Sequence, residues 1–256
     1  MKHPHGPPSD RGPDRLPTLF EDDHLVVVVK PAGLPTANAP AGAPSVYAVL
    51  RDRRGGDAFI GVVSRLDAAV SGVLVVAKTS TAAAHLAAQF RDRTVAKTYF
   101  AVVEGRFPGP VDVWQQWHDE LVRGHDERRS TLRGARSPAR GQAPSDDPEA
   151  SESFARLATT RARVVHRAGE VSLAELHPST GRRHQLRVQL ATRGCPIVGD
   201  RLYGARLPFP EGIALHARSI AFDHPAGTGR SEFIAPWPAD WKARFSAVLG
   251  SRIERA

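Results

Sequence analysis

An α+β fold around a mixed, mostly antiparallel sheet is what this sequence predicts. Two observations carry it. Strand-like runs outnumber helix-like ones and many are joined by turns, while the few helical stretches are scattered between them. A doubly wound sheet would instead need regular strand and helix alternation, with a phosphate-binding loop of the G-x-G-x-x-G kind, and no such loop is present.

Taken in order, residues 1–18 are Pro, Gly and charge with almost nothing apolar, so a flexible tail is expected there. A single organised domain is expected over 19–250. Residues 24–30 read as a buried strand, broken into a loop by the Pro and Gly residues of 31–35. Ser45 can cap a helix running to about Arg53. The apolar runs 59–63 and 73–77 both read as buried strands, and Thr79 precedes an alanine-rich helix reaching Arg93. Residues 97–105 read as a strand ending in a turn. Between about 118 and 153 hydrophobic residues nearly vanish, first in a basic and then in an acidic stretch, and a disordered, solvated insertion is expected. Strands at 159–166 and 171–176, a helix at 182–193, a strand at 213–222 and an amphipathic helix at 238–249 complete the reading.

The 256 residues are 41% hydrophobic, enough for a real core. The lone Cys195 cannot form an internal disulfide, which fits a reducing cytoplasm. No segment approaches the roughly 20 apolar residues of a membrane span, and the start has no signal-peptide core. A cytoplasmic protein without a membrane partner is therefore expected. The formal charge of +8 favours a polyanionic partner, although an arginine-rich composition also follows from a GC-rich genome.

Chemistry is best placed in residues 64–72, where Arg65 and Asp67 stand on the connection between two apolar runs. Catalytic side chains are commonly held on such connections, although an isolated R-x-D is more often a turn aspartate paired with its neighbour. A second dense stretch, T-G-R-R-H-Q-L-R at 180–187, is followed by P-I-V-G-D-R-L-Y-G at 196–204. On the helix expected there, Arg183 and Arg187 share a face at i and i+4, while Arg182 lies about 100° round per residue step and is free for a phosphate.

Arg65-Leu66-Asp67 with Ser71-Gly72, the K-T-Y-x-A-x-V-x-G strand at 97–105, the two runs above and Leu215-His216-Ala217 stand in the order seen in RluA-type pseudouridine synthases. The resemblance covers about residues 19 to 240. It implies the pseudouridine synthase catalytic fold and conversion of uridine in ribosomal or transfer RNA to pseudouridine, with no cofactor, no metal and a monomeric enzyme. It places the catalytic aspartate at Asp67, a tyrosine against the detached uracil at Tyr99, and the basic partner of the aspartate at Arg187. Breaking a C–N glycosidic bond at an electron-poor sugar carbon suits an ionised carboxylate, which can attack or stabilise it. Direct attack at C1′ and a glycal formed by proton loss at C2′ both remain open.

Arg65 is assigned to holding the flipped nucleotide, since a target base leaves its stack at a cost of a few kcal/mol. Arg182 and His184 complete the expected substrate contacts. His184 and His216 lack a short-spaced metal motif and read as hydrogen-bonding residues, and Asp200 reads as a turn cap. Ser64 and Ala68-Ala69-Val70 depart from the family's usual sequence around R-L-D, so its target uridines are not inherited. No separate S4-type RNA-binding module is expected before the catalytic region. Two other classes compete: an inactive RNA-binding or RNA-folding protein on the same scaffold, and a hydrolase that releases free base.

Overall fold

A computed structural model describes residues 16–40, 42–123, 130–133, 155–210, 212–227 and 229–250. Its frame is a ten-stranded sheet of β1 (Thr18–Glu21), β2 (Leu25–Lys30), β3 (Ser71–Ala77), β4 (Ala96–Glu104), β5 (Gln115–Arg123), β6 (Ser130–Leu132), β7 (Arg156–Ala168), β8 (Val171–Pro178), β9 (Leu215–Asp223) and β10 (Arg230–Ile234). The order is β1-β2-β3-β9-β4-β8-β7-β5-β6, with β10 beside β9. Strands pair antiparallel throughout, except for a short parallel contact of β3 with β9 at Ser71–His216 and Gly72–Ala217. The described helices are α1 (Val46–Arg53), α2 (Ser80–Asp92), α3 (Gln185–Thr192), α4 (Ala239–Arg244) and α5 (Ser246–Leu249). This is the mixed, mostly antiparallel α+β architecture that the sequence predicts.

The elements form for local reasons. β2 and β3 are β-branched runs buried along nearly their whole length, which suits strands covered on both faces. Ser45 caps α1 by accepting from the Ala48 N–H, and Thr79 caps α2 by accepting from Ala82. α2 ends at Arg93 in a left-handed conformation (φ 61°) whose N–H returns to the Gln89 carbonyl. Gly72 has φ +127°, and a Cβ there would collide with the Ala217 carbonyl. Only glycine lets β3 approach β9 so closely, and that crossing lies just beyond the Asp67 loop.

The structure corrects several expectations. Residues 59–63 are not a strand: Gly61 makes one bridge to Ala77, and a Cβ on it would press against Ala83 of α2. Short apolar runs do not distinguish strand from covered loop by periodicity. The expected insertion from about 118 to 153 begins inside the sheet, because β5 continues to Arg123 and β6 takes Ser130–Leu132. β5 is polar because few of its side chains, Trp117 and Leu121 among them, are buried. Residues 124–129 and 134–154 of that segment lie outside the described residues, as do 1–15 of the expected tail; Leu16 is buried and β1 starts at Thr18. The helix expected over 182–193 starts only at Gln185, after His184 in a left-handed conformation (φ 55°). The closing helix is broken at Phe245 into α4 and α5.

Candidate active site

Asp67 sits on a loop whose backbone is tied on three sides. The Thr36 hydroxyl both donates to the Leu66 carbonyl (2.9 Å) and accepts from the Leu66 N–H (3.1 Å). The Ala68 carbonyl accepts from the Gly33 N–H at 2.8 Å, and the Ala69 carbonyl from the Ile213 N–H at 3.1 Å. Gly212 (φ +93°) makes the last contact possible, since a Cβ there would crowd the Ala69 carbonyl. Lys30, at the end of β2, is fully buried and donates to the carbonyls of Pro31 (2.9 Å), Leu34 (2.8 Å) and Ala68 (3.1 Å). Those carbonyls use all three ammonium hydrogens, while burial pulls the Lys30 pKa down to about 7 against the opposing charge of Asp67. The catalytic candidate is thus on a loop that is as constrained as a strand.

α3 supplies the opposing charge. Buried Arg187 donates to Asp200 through Nε (2.7 Å) and Nη2 (2.8 Å), leaving Nη1 to reach Asp67 Oδ2 at 3.2 Å. The two-point grip fixes the guanidinium plane. Burial works against the Arg187 charge, but the Asp200 hydrogen bonds and charge, aided by Asp67, hold its pKa raised. His184 Nε2 lies 3.6 Å from the same Asp67 oxygen, and its Nδ1 is 2.8 Å from the Tyr203 hydroxyl. That hydroxyl also accepts from the Ser130 N–H at 3.0 Å, so β6 is tied to the site. The Arg187 guanidinium carbon stands 5.0 Å from the centre of the Tyr203 ring. Burial, helped by the Arg187 and Arg183 charges and opposed by Asp67, keeps His184 below the usual histidine range, so its neutral ring faces the carboxylate.

Three cavities meet along this loop. A cleft of about 1250 Å³ is lined by Arg65, Asp67, Arg156, Arg182, Arg183 and Arg187, among others, with Leu121, Val122 and Ser130 of the β5–β6 hairpin on its other side. A small chamber of about 110 Å³ brings Asp67 and Tyr99 together with Arg65, Arg182, His184 and Arg187. A further chamber of about 510 Å³ shares Arg65, Lys97, Tyr99 and Arg182 with the small one but not Asp67. All six residues singled out in the sequence therefore converge on one chamber. Burial, then the Asp67 charge, push the Tyr99 phenol upward, so its hydroxyl stays protonated at neutral pH. Arg65 is exposed and has no hydrogen-bond or ion-pair partner among the described residues. Arg182 uses Nε on the Leu157 carbonyl at 3.1 Å.

Sequence reasoning missed three contributors. Asp200 is no turn cap: it makes no side-chain capping bond and instead grips Arg187 from a fully buried position. Lys30 and Tyr203 went unread. The signals were available, in a lysine closing a valine strand and in the spacing of the 196–204 run. The Arg183–Arg187 helix-face argument fails because residues 182–184 precede α3. His216 is a buried hydrogen-bonding residue: its Nδ1 lies 2.9 Å from Ser71 Oγ, and burial followed by the Arg218 charge brings its pKa down to about 3. Among the described residues no three metal-ligating side chains converge, and no helix is long and apolar enough to cross a membrane.

Comparison with known proteins places this geometry. Residues 24–192 match the family model described as RNA pseudouridylate synthase. Ribosomal large subunit pseudouridine synthase C of Vibrio cholerae is 33% identical over 86% of this chain and 65% of its own. Ribosomal large subunit pseudouridine synthase D of Zymomonas mobilis is 32% identical over 94% and 76%. This chain thus spans about two thirds to three quarters of those relatives. Among solved structures, human RNA pseudouridylate synthase domain containing 1 superposes with a TM-score of 0.68 at 25% identity, covering 90% of this chain and 86% of that one. Its domain containing 4 counterpart gives 0.66 at 26% identity over 93% of both.

Proposed function

The chain belongs to the RluA-type RNA pseudouridylate synthase family, and from that premise we propose that it isomerises specific uridines in RNA to pseudouridine, with ribosomal RNA first among its substrates and transfer RNA second. The observation that carries the reading is the tethered Asp67 carboxylate facing a chamber shared with Tyr99, with Arg187 locked beside it by Asp200.

The proposed sequence begins with a flipped uridine entering the small chamber, while Arg65, without a partner among the described residues, replaces contacts that the base leaves behind. Asp67 then acts on the sugar, either by attack at C1′ or by taking a C2′ proton to give a glycal, and the C1′–N1 bond breaks with its electrons on the uracil. The uracil turns and C5 bonds to C1′, breaking the Asp67–C1′ bond on the first route or with Asp67 returning the proton to C2′ on the second; the C5 proton is then lost while N1 gains one, so atoms balance without any cofactor. Arg187 restrains the carboxylate in one orientation, a positional gain of the kind that dominates intramolecular reactions. Tyr99, kept protonated, packs its ring against the detached base and offers its hydroxyl as a hydrogen-bonding relay for the departing C5 proton. Arg182 and the arginines of the outer cleft hold phosphates. A cytoplasmic monomer is part of the same proposal.

Incubating the purified protein with unmodified ribosomal and transfer RNA and mapping carbodiimide-dependent stops tests this directly. New stops at discrete uridines are expected. RNA binding without new stops would favour an inactive binding protein, and free uracil among the products would favour a hydrolase.

A further inference from the structure

The proposed chemistry occupies the outer cleft and the small chamber, and leaves the third cavity without a role. That chamber of about 510 Å³ lies on the far side of Arg65 and Tyr99, within the size range of ligand pockets. Its walls come from the C-terminal end of α2, from Lys97 and Tyr99 on one face of β4, and from the turn at 179–182. Arg65, Arg91, Arg93, Lys97 and Arg182 all line it, and among the described residues no carboxylate does. Arg91 reaches an acid, Asp92 at 3.6 Å, that lies outside the lining.

Lys97 is the informative member. Its ammonium makes one hydrogen bond among the described residues, a long one of 3.4 Å to the Thr180 carbonyl, and it has no ion pair there. Lys30, by contrast, spends all three donors on carbonyls. An ammonium drawn out of water without an anion bonded to it is costly to the fold, and burial lowers the Lys97 pKa to about 8. Such a group beside an open chamber of like-charged arginines is arranged for an anion that arrives with a ligand. Arg65, Lys97 and Arg182 border both this chamber and the one containing Asp67, so a single strand can run from one to the other.

We propose that this chamber is an anion subsite that takes a phosphodiester of the RNA strand adjoining the uridine at Asp67, with Lys97 as its central cation and Arg91 and Arg93 at its exposed rim. The identity of the polyanion rests on the RNA-modifying function proposed above; the subsite itself rests on the cavity and its charges.

The test is the salt dependence of RNA affinity, together with kcat and KM, for wild type, Lys97→Met, Lys97→Arg, Arg93→Gln and Asp67→Asn on an unmodified ribosomal RNA transcript. Losing one phosphate contact to single-stranded RNA flattens the slope of log affinity against log salt by about 0.7. Lys97→Met is expected to show that flattening, with Kd and KM up about tenfold, a larger effect than on kcat. Lys97→Arg should recover most of the affinity, and Arg93→Gln should shift the slope in the same direction by less. Asp67→Asn should keep the wild-type slope. A fall in kcat for Lys97→Met at unchanged Kd and slope would overturn the subsite. If Lys97→Met fails to fold by circular dichroism, Arg93→Gln decides, and an unchanged slope there overturns it. Should wild type make no pseudouridine while Lys97→Met still flattens the slope, the modification reading fails and the anion subsite stands.

Discussion

The two sides of Arg65 handle positive charge in opposite ways. On the Asp67 side Arg187 is matched by Asp200 and Asp67, and Lys30 by three carbonyls. On the Lys97 side, among the described residues, five cations surround a cavity with no acid in its walls. Matched charges fix positions, because each partner limits the other's orientation, and they leave little field to attract a ligand. Unmatched charges do the reverse. The first arrangement suits a group that must hold one geometry during a reaction, the second a surface that draws in a polyanion.

The largest effect should come from breaking the matched side. Asp200→Asn leaves Arg187 buried with Asp67 as its only acid, and a loss of about 3–5 kcal/mol in stability is expected from urea unfolding. A loss under about 1 kcal/mol would mean that Asp200 does not hold the guanidinium. Lys30→Met strands the Pro31 and Leu34 carbonyls and leaves Ala68 held by the Gly33 N–H alone, and should cost about 1–3 kcal/mol. It should also lower kcat without changing RNA affinity, because the Asp67 loop loses an anchor while the binding surface stays intact. Tyr203→Phe removes one hydroxyl that links Ser130 to His184, and a change of about 1 kcal/mol in stability is expected.

The unmatched side should respond to pH. Lys97 titrates near 8 when folded and 10.5 as a free side chain. Its folded pKa is the lower one, so the unfolded chain holds more protons between those values and stability rises with pH across the window. RNA affinity moves the opposite way, weakening as pH passes about 8 and the ammonium loses its proton. Tyr99, which also lines the chamber, is raised by burial and stays protonated across this window. Lys97→Met should flatten the affinity trend and only lessen the stability trend, since buried Lys30, pulled down to about 7, contributes a rise of the same sign; a wild-type affinity that stays constant from pH 7 to 9 would show that Lys97 does not meet the RNA.

Much of this was legible in the residues. The valine runs of β2 and β3, the Ser45 and Thr79 caps and the strand-like run of β4 are local signals, and the structure follows them. The family motifs placed six residues that do converge on one chamber. What escaped depends on long-range partners. Asp200 looked like a cap because nothing local shows that α3 brings Arg187 over it. Lys30 looked like an ordinary strand end because its acceptors include Ala68, thirty-eight residues away. β5 and β6 were missed because a strand near a sheet edge buries few side chains and so carries a weak apolar signal.

The most direct test is the single-turnover rate of pseudouridine formation by Asp67→Asn, measured beside its RNA affinity. Asparagine keeps the shape and removes the charge. The rate should fall by more than about 10³-fold, while affinity stays within about threefold, a change of less than 1 kcal/mol. A rate close to wild type would contradict the central claim that the tethered Asp67 carboxylate does the chemistry.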